Sequence, residues 1–420
     1  MANSLTRVEQ IAWEQACDAF ENVNVFAANA EIYKPDSGKA ELAGQTIRFP
    51  YANQIESSTG LDVTSNISDV SDLSVPISLS ASHIKNATFS LNVQESLVDR
   101  RTSDNILAGV RKISSDISKA IADKVIDQGA LWSGETTALT NYEHFATAGT
   151  LLSEVEAQAD QKFMYMPSRT AQGLSNELAM RATDNSRDHS AYSMGKLNPI
   201  NGFQTYDAGS LKQIAAESVT TVTVNGANQD VDPKAYDSDA TLSQPDVDDI
   251  RYQTLTVTNT SGSLTNGDIF TIAGVNRVGI DSKIDTGELM TFHVISGGGT
   301  TSVTISPAIV ASGAYQNVSA APADSAVITA VNTVAAAPTV FTTKNAIQLF
   351  CSDLNWSALE GSAGVTLDTY TTSSGIQVAF IKQGSALTGV VNYRLSTWCN
   401  PNVVDPLKCG GILPNQTTAF

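Results

Sequence analysis

The stretch SDNILAGVRKISSDISKAIADKVIDQ, Ser103 to Gln128, decides how the rest of the chain is read. Ile106, Val110, Ile113, Ile117, Ile121 and Val125 recur at steps of three or four, the spacing that lines one face of an α-helix. Arg111, Lys112, Asp116, Lys119, Asp123 and Lys124 fall on the opposite face. The pattern predicts one amphipathic helix of about 26 residues, roughly 39 Å long at 1.5 Å per residue. Ser103 is placed to cap its start, and Gly129 to close its end in the left-handed conformation. A helix so long, charged along one face, crosses a surface and is not buried all round.

The segments before it change texture twice. Residues 4–21 set Leu5, Val8, Ile11, Ala12 and Ala16 among charged neighbours, which predicts a short amphipathic helix. It is equally compatible with packing on its own domain or on another chain. EIYKPDSGKAELAG, residues 31–44, reads as a linker punctuated by Pro and Gly. QTIRFPY, VPISLSAS and IKNATFSLNVQE then alternate apolar and polar residues as half-buried strands do. The polar SSTGLDVTSNISDVSD lies between the first two. Residues 45–95 are thus expected to form an extended two-stranded arm with a mobile tip, and such an arm needs a partner surface to be stable.

After the helix, ALWSGETTALTNYEHFATAGT reads as loop-rich. It is followed by a strand at Phe163–Met166, a helix from about Ser168 to Arg181 and a strand built on Phe203 and Tyr206. From Ser218 to Val340 the apolar segments become short β runs: TTVTVNG, QTLTVTNT, GDIFTIAGV, LMTFHVIS, TTSVTISPAIV and DSAVITAV. Asn225-Gly226, Asn266-Gly267 and Gly297-Gly298-Gly299 separate some of them, a spacing that predicts a small all-β barrel or sandwich. Mixed texture returns over 340–420, where GIQVAFIKQ and LTGVVNYRLSTWCN read as a hairpin of long strands. An all-β block between two halves of an α+β sequence is the mark of an inserted domain.

Composition narrows the function. The 420 residues are 42% hydrophobic and 16% charged, with a formal net charge of −18. That is too apolar for disorder, and a surface so acidic repels phosphate, which argues against tight nucleic-acid binding. No segment is apolar over the length that spans a bilayer, and the first twenty residues lack the pattern of a signal peptide. Cys17, Cys351, Cys399 and Cys409 are scattered, with no C-x-x-C, and read as reduced, buried thiols of a cytosolic protein. The Asn-x-Ser/Thr matches at Asn66, Asn86, Asn259, Asn317, Asn355 and Asn415 are then coincidences of a Ser/Thr-rich chain.

No phosphate loop, nucleotide fingerprint, nucleophile elbow or zinc-protease motif is present. His83, His144, His189 and His293 lie in different segments. Asp188-His189-Ser190 sets three triad residue types side by side, but a triad is a matter of geometry and not of adjacency. Asp230/Asp232, Asp237/Asp239 and Asp246/Asp248 form D-x-D pairs in an acidic run, 230–249, without the glycine spacing of an EF-hand; it is read as an exposed, hydrated loop. No catalytic, cofactor-binding or metal-ligating residue is assigned, and no cofactor. The composition alone also fits a β-rich surface or binding protein of low oligomeric state. A hydrolase with an appended β module would need a concave site with perturbed carboxylates or a histidine pair.

The order of parts is what becomes specific. The helix around Ile106–Ile126, GFQTYD at 202–207, LTNGDIFTIAGV at 264–275, and the run from GIQVAFIKQGSALTGVVNYRL to CGGILPN together resemble the major capsid protein of tailed bacteriophages. The likeness is to the α+β Hong Kong 97-type fold, in the short-tailed-phage branch with an inserted β-barrel. It implies a non-catalytic protein that self-assembles into an icosahedral head, first a procapsid and then a mature shell, enclosing double-stranded DNA without reading its sequence.

On that likeness residues 1–44 are the N-terminal arm, 45–97 the E-loop lying over a neighbouring subunit, and 98–133 the spine helix of the peripheral domain. Residues 134–217 and 341–420 complete the peripheral and axial domains, and 218–340 form the inserted barrel. The implied partners are copies of the chain in hexamers and pentamers, a scaffolding protein, a portal and, in some shells, a decoration protein; no membrane is involved. The expected location is the virion, after assembly in the host cytoplasm. Some members of the wider fold cross-link through an E-loop lysine. Lys85 is the only lysine in 45–95, and the inserted-domain branch is not known for that chemistry, so it is not carried over.

Overall fold

The structure, a computed structural model, describes residues 7–23, 25–34, 46–55, 59–61, 72–92, 95, 99–157, 161–181, 199–209, 211–237, 242, 245–352, 365–372, 375–385 and 388–420. The early strands are β1 (Glu31–Tyr33), β2 (Thr46–Pro50), β3 (Ser74–Ser78) and β4 (Ile84–Asn92). After the long helix come β5 (Leu131–Gly134), β6 (Lys162–Met166) and β7 (Phe203–Asp207). The all-β block holds β8 (Val219–Val224), β9 (Asp232–Pro233), β10 (Asp246–Val247), β11 (Gln253–Gly262), β12 (Ile269–Val278), β13 (Asp285–Ser296), β14 (Ser302–Ser306) and β15 (Val327–Ala330). The chain ends with β16 (Thr339–Thr343), β17 (Ile347–Cys351), β18 (Val365–Thr371), β19 (Gln377–Ser385), β20 (Val390–Val403) and β21 (Cys409–Leu413).

The long helix runs Asp99–Gln128. It starts a turn before the cap expected at Ser103, which lies inside the helix, and buried Thr102 belongs to that extra turn. Its six predicted apolar positions are each at most 2% exposed, a burial that contributes roughly 1.5–3 kcal/mol per side chain. Gly129 is not in the left-handed conformation. A Cβ there would lie 2.9 Å from the Val125 oxygen and 3.0 Å from Cα of Gly410, so glycine is required for space.

Two compact units share the chain. The first comprises Met1–Ile47, Ile77–Ile121 and Gln348–Asn402. Its sheet has the order β1-β17-β20-β19-β18, with β4 also paired to β20. β19 and β20 form the expected antiparallel hairpin, from Val378↔Thr397 to Ser385↔Val390. β4 runs antiparallel to β20 from Ile84↔Trp398 to Asn92↔Val390, so it belongs to this sheet and not to the arm where the sequence placed it. Nor is the start of the expected linker free, because Glu31–Tyr33 pairs in parallel with β17; residues 35–45 lie outside the described residues. The terminal helix, Arg7–Val23, buries Ala12, Trp13, Ala16, Cys17 and Phe20. Trp13 meets Phe380 with ring centroids 5.4 Å apart, which answers the open question: the helix packs on its own sheet. Glu9 fixes it there, accepting from Lys382 Nζ at 2.7 Å and from the Tyr393 hydroxyl at 3.0 Å.

The second unit comprises Arg48–Pro76, Ala122–Ile347 and Val403–Phe420. Its five-stranded sheet has the order β5-β21-β16-β6-β7. β5, β6 and β7 come from before the all-β block and β16 and β21 from after it, so one sheet joins the two halves of the interrupted sequence. The segment read as loop-rich, 130–150, instead contains β5 and most of a helix, Tyr142–Glu154. That helix buries Phe145, Ala148, Leu151 and Leu152 at helical spacing; small and polar neighbours in ATAGT hide the stripe in a plain reading.

The all-β block closes into a barrel of order β11-β14-β13-β12-β15-β8. The six apolar runs read from the sequence supply its six strands. In β11 the alternation of QTLTVT is literal: Gln253, Leu255 and Val257 are buried, while Thr254 and Thr258 are exposed. Leu255, Val257, Phe270, Ile272, Phe292, Val294, Val303 and Ile305 fill the core, none more than 1% exposed. Between β11 and β12, Asn266-Gly267 makes the turn with Gly267 at φ +97°, a conformation glycine adopts without a Cβ penalty.

Candidate functional site

The three described histidines occupy separate elements. His83 Nδ1 accepts from the Ser80 N–H at 3.1 Å, and His144 Nε2 lies 3.4 Å from the Thr137 hydroxyl. His293, on β13, is fully buried, which pushes its imidazole down to about 4 and leaves it neutral at pH 7. Asp188-His189-Ser190 lies outside the described residues. Among the described residues no group of three or more His, Cys, Asp or Glu gathers as a metal site, and no helix is long and apolar enough to cross a membrane. The four cysteines are buried, and none is in a disulfide. Asn317 is also buried, its amide donating to the Ala308 carbonyl at 2.7 Å, so this glycosylation match is spent inside the fold.

The acidic run is organised, not simply hydrated. Asp232 pairs with Lys234 at 2.7 Å, and β9 and β10 join Asp232↔Asp246. Asp248 and Asp249 are half-buried because each holds an arginine. Arg48 reaches Asp248 at 2.8 Å and Ser74 Oγ at 3.2 Å, with its guanidinium 3.1 Å from the centroid of the Tyr236 ring. Arg251 forms a fork on Asp249, Nε to Oδ1 at 2.9 Å and Nη2 to Oδ2 at 2.8 Å. Its remaining donors go to the carbonyls of Pro76, at 3.2 Å, and Val403, at 3.4 Å.

These contacts converge on the root of the β2–β3 pair. Tyr51 is buried there, its N–H donating to the Leu73 carbonyl at 2.9 Å and its ring 6.1 Å from that of Tyr315. Burial, and the neighbouring Asp405, raise its phenol well above the ordinary value. Lys283 adds a bond to Gln54 Oε1 at 3.1 Å. Beyond the root the side chains open to solvent: Ile55 is 78% exposed and Leu61 106%. The arrangement holds a strand pair at its base and presents apolar side chains further out. Sequence reasoning did not single out Arg48, Tyr51, Arg251 or Tyr315. The available signal was an arginine directly after an acidic run.

A second tether lies between the helix Tyr142–Glu154 and the barrel. Glu156 accepts the N–H groups of Asp281 at 3.0 Å and Ser282 at 2.7 Å. The bonds from Ser282, more than the charge of Lys283, hold its carboxyl below the ordinary value of 4.5. The tether is therefore complete above pH 4.5 and is lost as pH falls through the lowered value. Acidification is expected to raise protease cleavage within 279–284. Glu156→Gln should show raised cleavage already at pH 7 and little further change on acidification; wild-type and variant profiles that coincide would remove the tether.

No curated protein sequence matches the chain. Among solved structures, one from Mycobacterium phage Che8 is similar at 11% identity and TM-score 0.44, over 94% of this chain and 90% of that one. The capsid structure of cyanophage P-SCSP1u is similar at 9% identity and TM-score 0.45, over 94% and 89%. The CUS-3 coat protein I-domain matches at 41% identity and TM-score 0.22, covering 27% of this chain and 98% of that one. The model of the family described as P22 coat protein, gene protein 5, matches residues 1–414. With that match over nearly its whole length, the chain belongs to the P22 coat protein family: it is a major capsid protein of a phage head, with the Hong Kong 97-type fold and an inserted β-barrel.

Proposed function

We propose that the chain is a non-catalytic shell subunit, assembled first into a procapsid and then remodelled into a mature head around double-stranded DNA. In this reading 1–44 is the N-terminal arm, the part of 45–97 that precedes β4 is the E-loop, and 98–133 is the spine helix. Residues 134–217 and 341–420 form the peripheral and axial parts, and 218–340 the inserted barrel. Its partners are further copies in hexamers and pentamers, a scaffolding protein, a portal and, where the shell carries one, a decoration protein, with assembly in the host cytoplasm.

One observation carries the reading. The β2–β3 limb is tied down at its root by Arg48, Tyr51 and Arg251, yet leaves Ile55 and Leu61 open to solvent. Apolar side chains presented by a marginal two-stranded element gain from contact with a second copy. The net charge of −18 fits an enclosing wall that does not grip DNA. Electron microscopy of the protein co-expressed with its scaffold is the test, with closed shells expected. The pair Ile55→Asp and Leu61→Asp should cut shell yield at least tenfold while leaving the circular dichroism of the free subunit unchanged. A concentrated wild-type preparation that stays at one chain's mass refutes the reading.

A further inference from the structure

Cys351 closes β17 and Cys399 lies within β20, neighbouring strands of the first unit's sheet. Their sulfurs are 2.9 Å apart, and the residues are 2% and 3% exposed. The ladder is intact beside them, the Ser352 N–H donating to the Trp398 carbonyl at 3.2 Å. The other two thiols are placed differently. Cys409 points at the carbonyls of Pro406, at 3.7 Å, and Asp405, at 4.0 Å, and burial and Asp405 together push its thiol up, which makes it a poor nucleophile. Cys17 is buried on the terminal helix.

We propose that Cys351 and Cys399 are a redox-convertible pair: a dithiol while the chain folds and assembles, and a disulfide once the particle stands in an oxidising medium. Only the timing rests on the shell reading; the pairing rests on the two strands. A small disulfide such as oxidised glutathione is the oxidant. One protein thiol loses its proton and the thiolate attacks a sulfur of the small disulfide, expelling one small thiolate and leaving a mixed disulfide. The second protein thiolate attacks the protein-side sulfur, closes the bond and expels the other small thiolate. The protein thiols give up two electrons, the small disulfide takes them, and both protons end on the released thiols. Because both residues are buried, the rate follows local opening of the sheet. The link spans a sequence separation of 48 and encloses β18 and β19.

The test is to incubate the full-length subunit and the assembled particle with oxidised glutathione, denature, alkylate, and map the cysteines by mass spectrometry. Four alkylated thiols are expected before oxidation. Afterwards only Cys17 and Cys409 should react, with the peptides carrying Cys351 and Cys399 joined. The unfolding midpoint should rise by about 5 °C, reversibly with dithiothreitol. Cys17→Ser should oxidise as the wild type does, and Cys351→Ser should not. Four reactive thiols after oxidation, glutathione adducts alone, or links between chains would overturn the proposal. Since the wild-type map needs no variant, a misfolded Cys351→Ser does not blur the result. Absence of shells by microscopy would strike the capsid reading and leave the linkage map untouched.

Discussion

Gly410→Ala is expected to stop the chain from folding into soluble subunits, or to lower its stability by about 3 kcal/mol or more. Gly410 lies in β21, paired in parallel with Leu131 of β5 and antiparallel with Phe341 of β16. A Cβ at this position would sit 1.7 Å from the Leu131 carbonyl oxygen and 2.5 Å from its carbonyl carbon. Those are backbone atoms inside a sheet, so no side chain can rotate away, and the two strands would have to separate. The same sheet joins the halves of the chain on either side of the barrel, which is why one methyl group should have so large an effect. Gly384→Ala is the control: its added Cβ meets nothing within 4 Å, and little change is expected. Soluble yield and a urea midpoint followed by tryptophan fluorescence measure both. A Gly410→Ala subunit with a wild-type midpoint would show that the approach of β21 to β5 is wrong.

Arg251→Ala should cost about 3 kcal/mol, because it strips a half-buried carboxylate of its partner and leaves two backbone carbonyls without this donor. The Arg251 side chain is 5% exposed and that of Asp249 16%. Arg251→Lys keeps the charge but cannot reproduce the fork, so it should recover only part of the loss. The neighbouring Arg48–Asp248 pair is more open, with side chains 27% and 26% exposed. Arg48→Ala should therefore cost nearer 1 kcal/mol, and that cost should shrink with added salt. The salt dependence separates the two: the effect of Arg251→Ala should barely move. Limited proteolysis adds a local readout, since losing Arg251 frees its hold on Pro76 and should expose the root of the limb to cleavage. Equal effects of the two alanine substitutions at every salt concentration would contradict this division.

Much of this architecture is legible in the residues, for a reason that differs between elements. The helix that begins at Asp99 and the six barrel strands bury one face each, and a half-buried face writes its period into the sequence whatever it packs against. What the residues concealed were features set by a neighbour distant in the chain. β4 reads as part of the arm over 45–95, but nine positions of β20 claim it. The helix Tyr142–Glu154 reads as loop because its stripe is interrupted by Ala, Gly and Thr. The acidic run reads as solvated because the second arginine that organises it, Arg48, lies 200 positions away.

The sequence by itself determined the order of parts, and with it the family, because periodicity and the place of an insertion are local facts that no packing partner can alter. Only the tertiary structure decided why Gly129 and Gly410 are glycines, which carboxylate holds which arginine, and that two thiols far apart in the chain touch. Those are matters of distance between segments. Backbone approach within a few ångströms, and charge pairing under partial burial, depend on where the folded chain returns upon itself, and a string of residues carries no record of that.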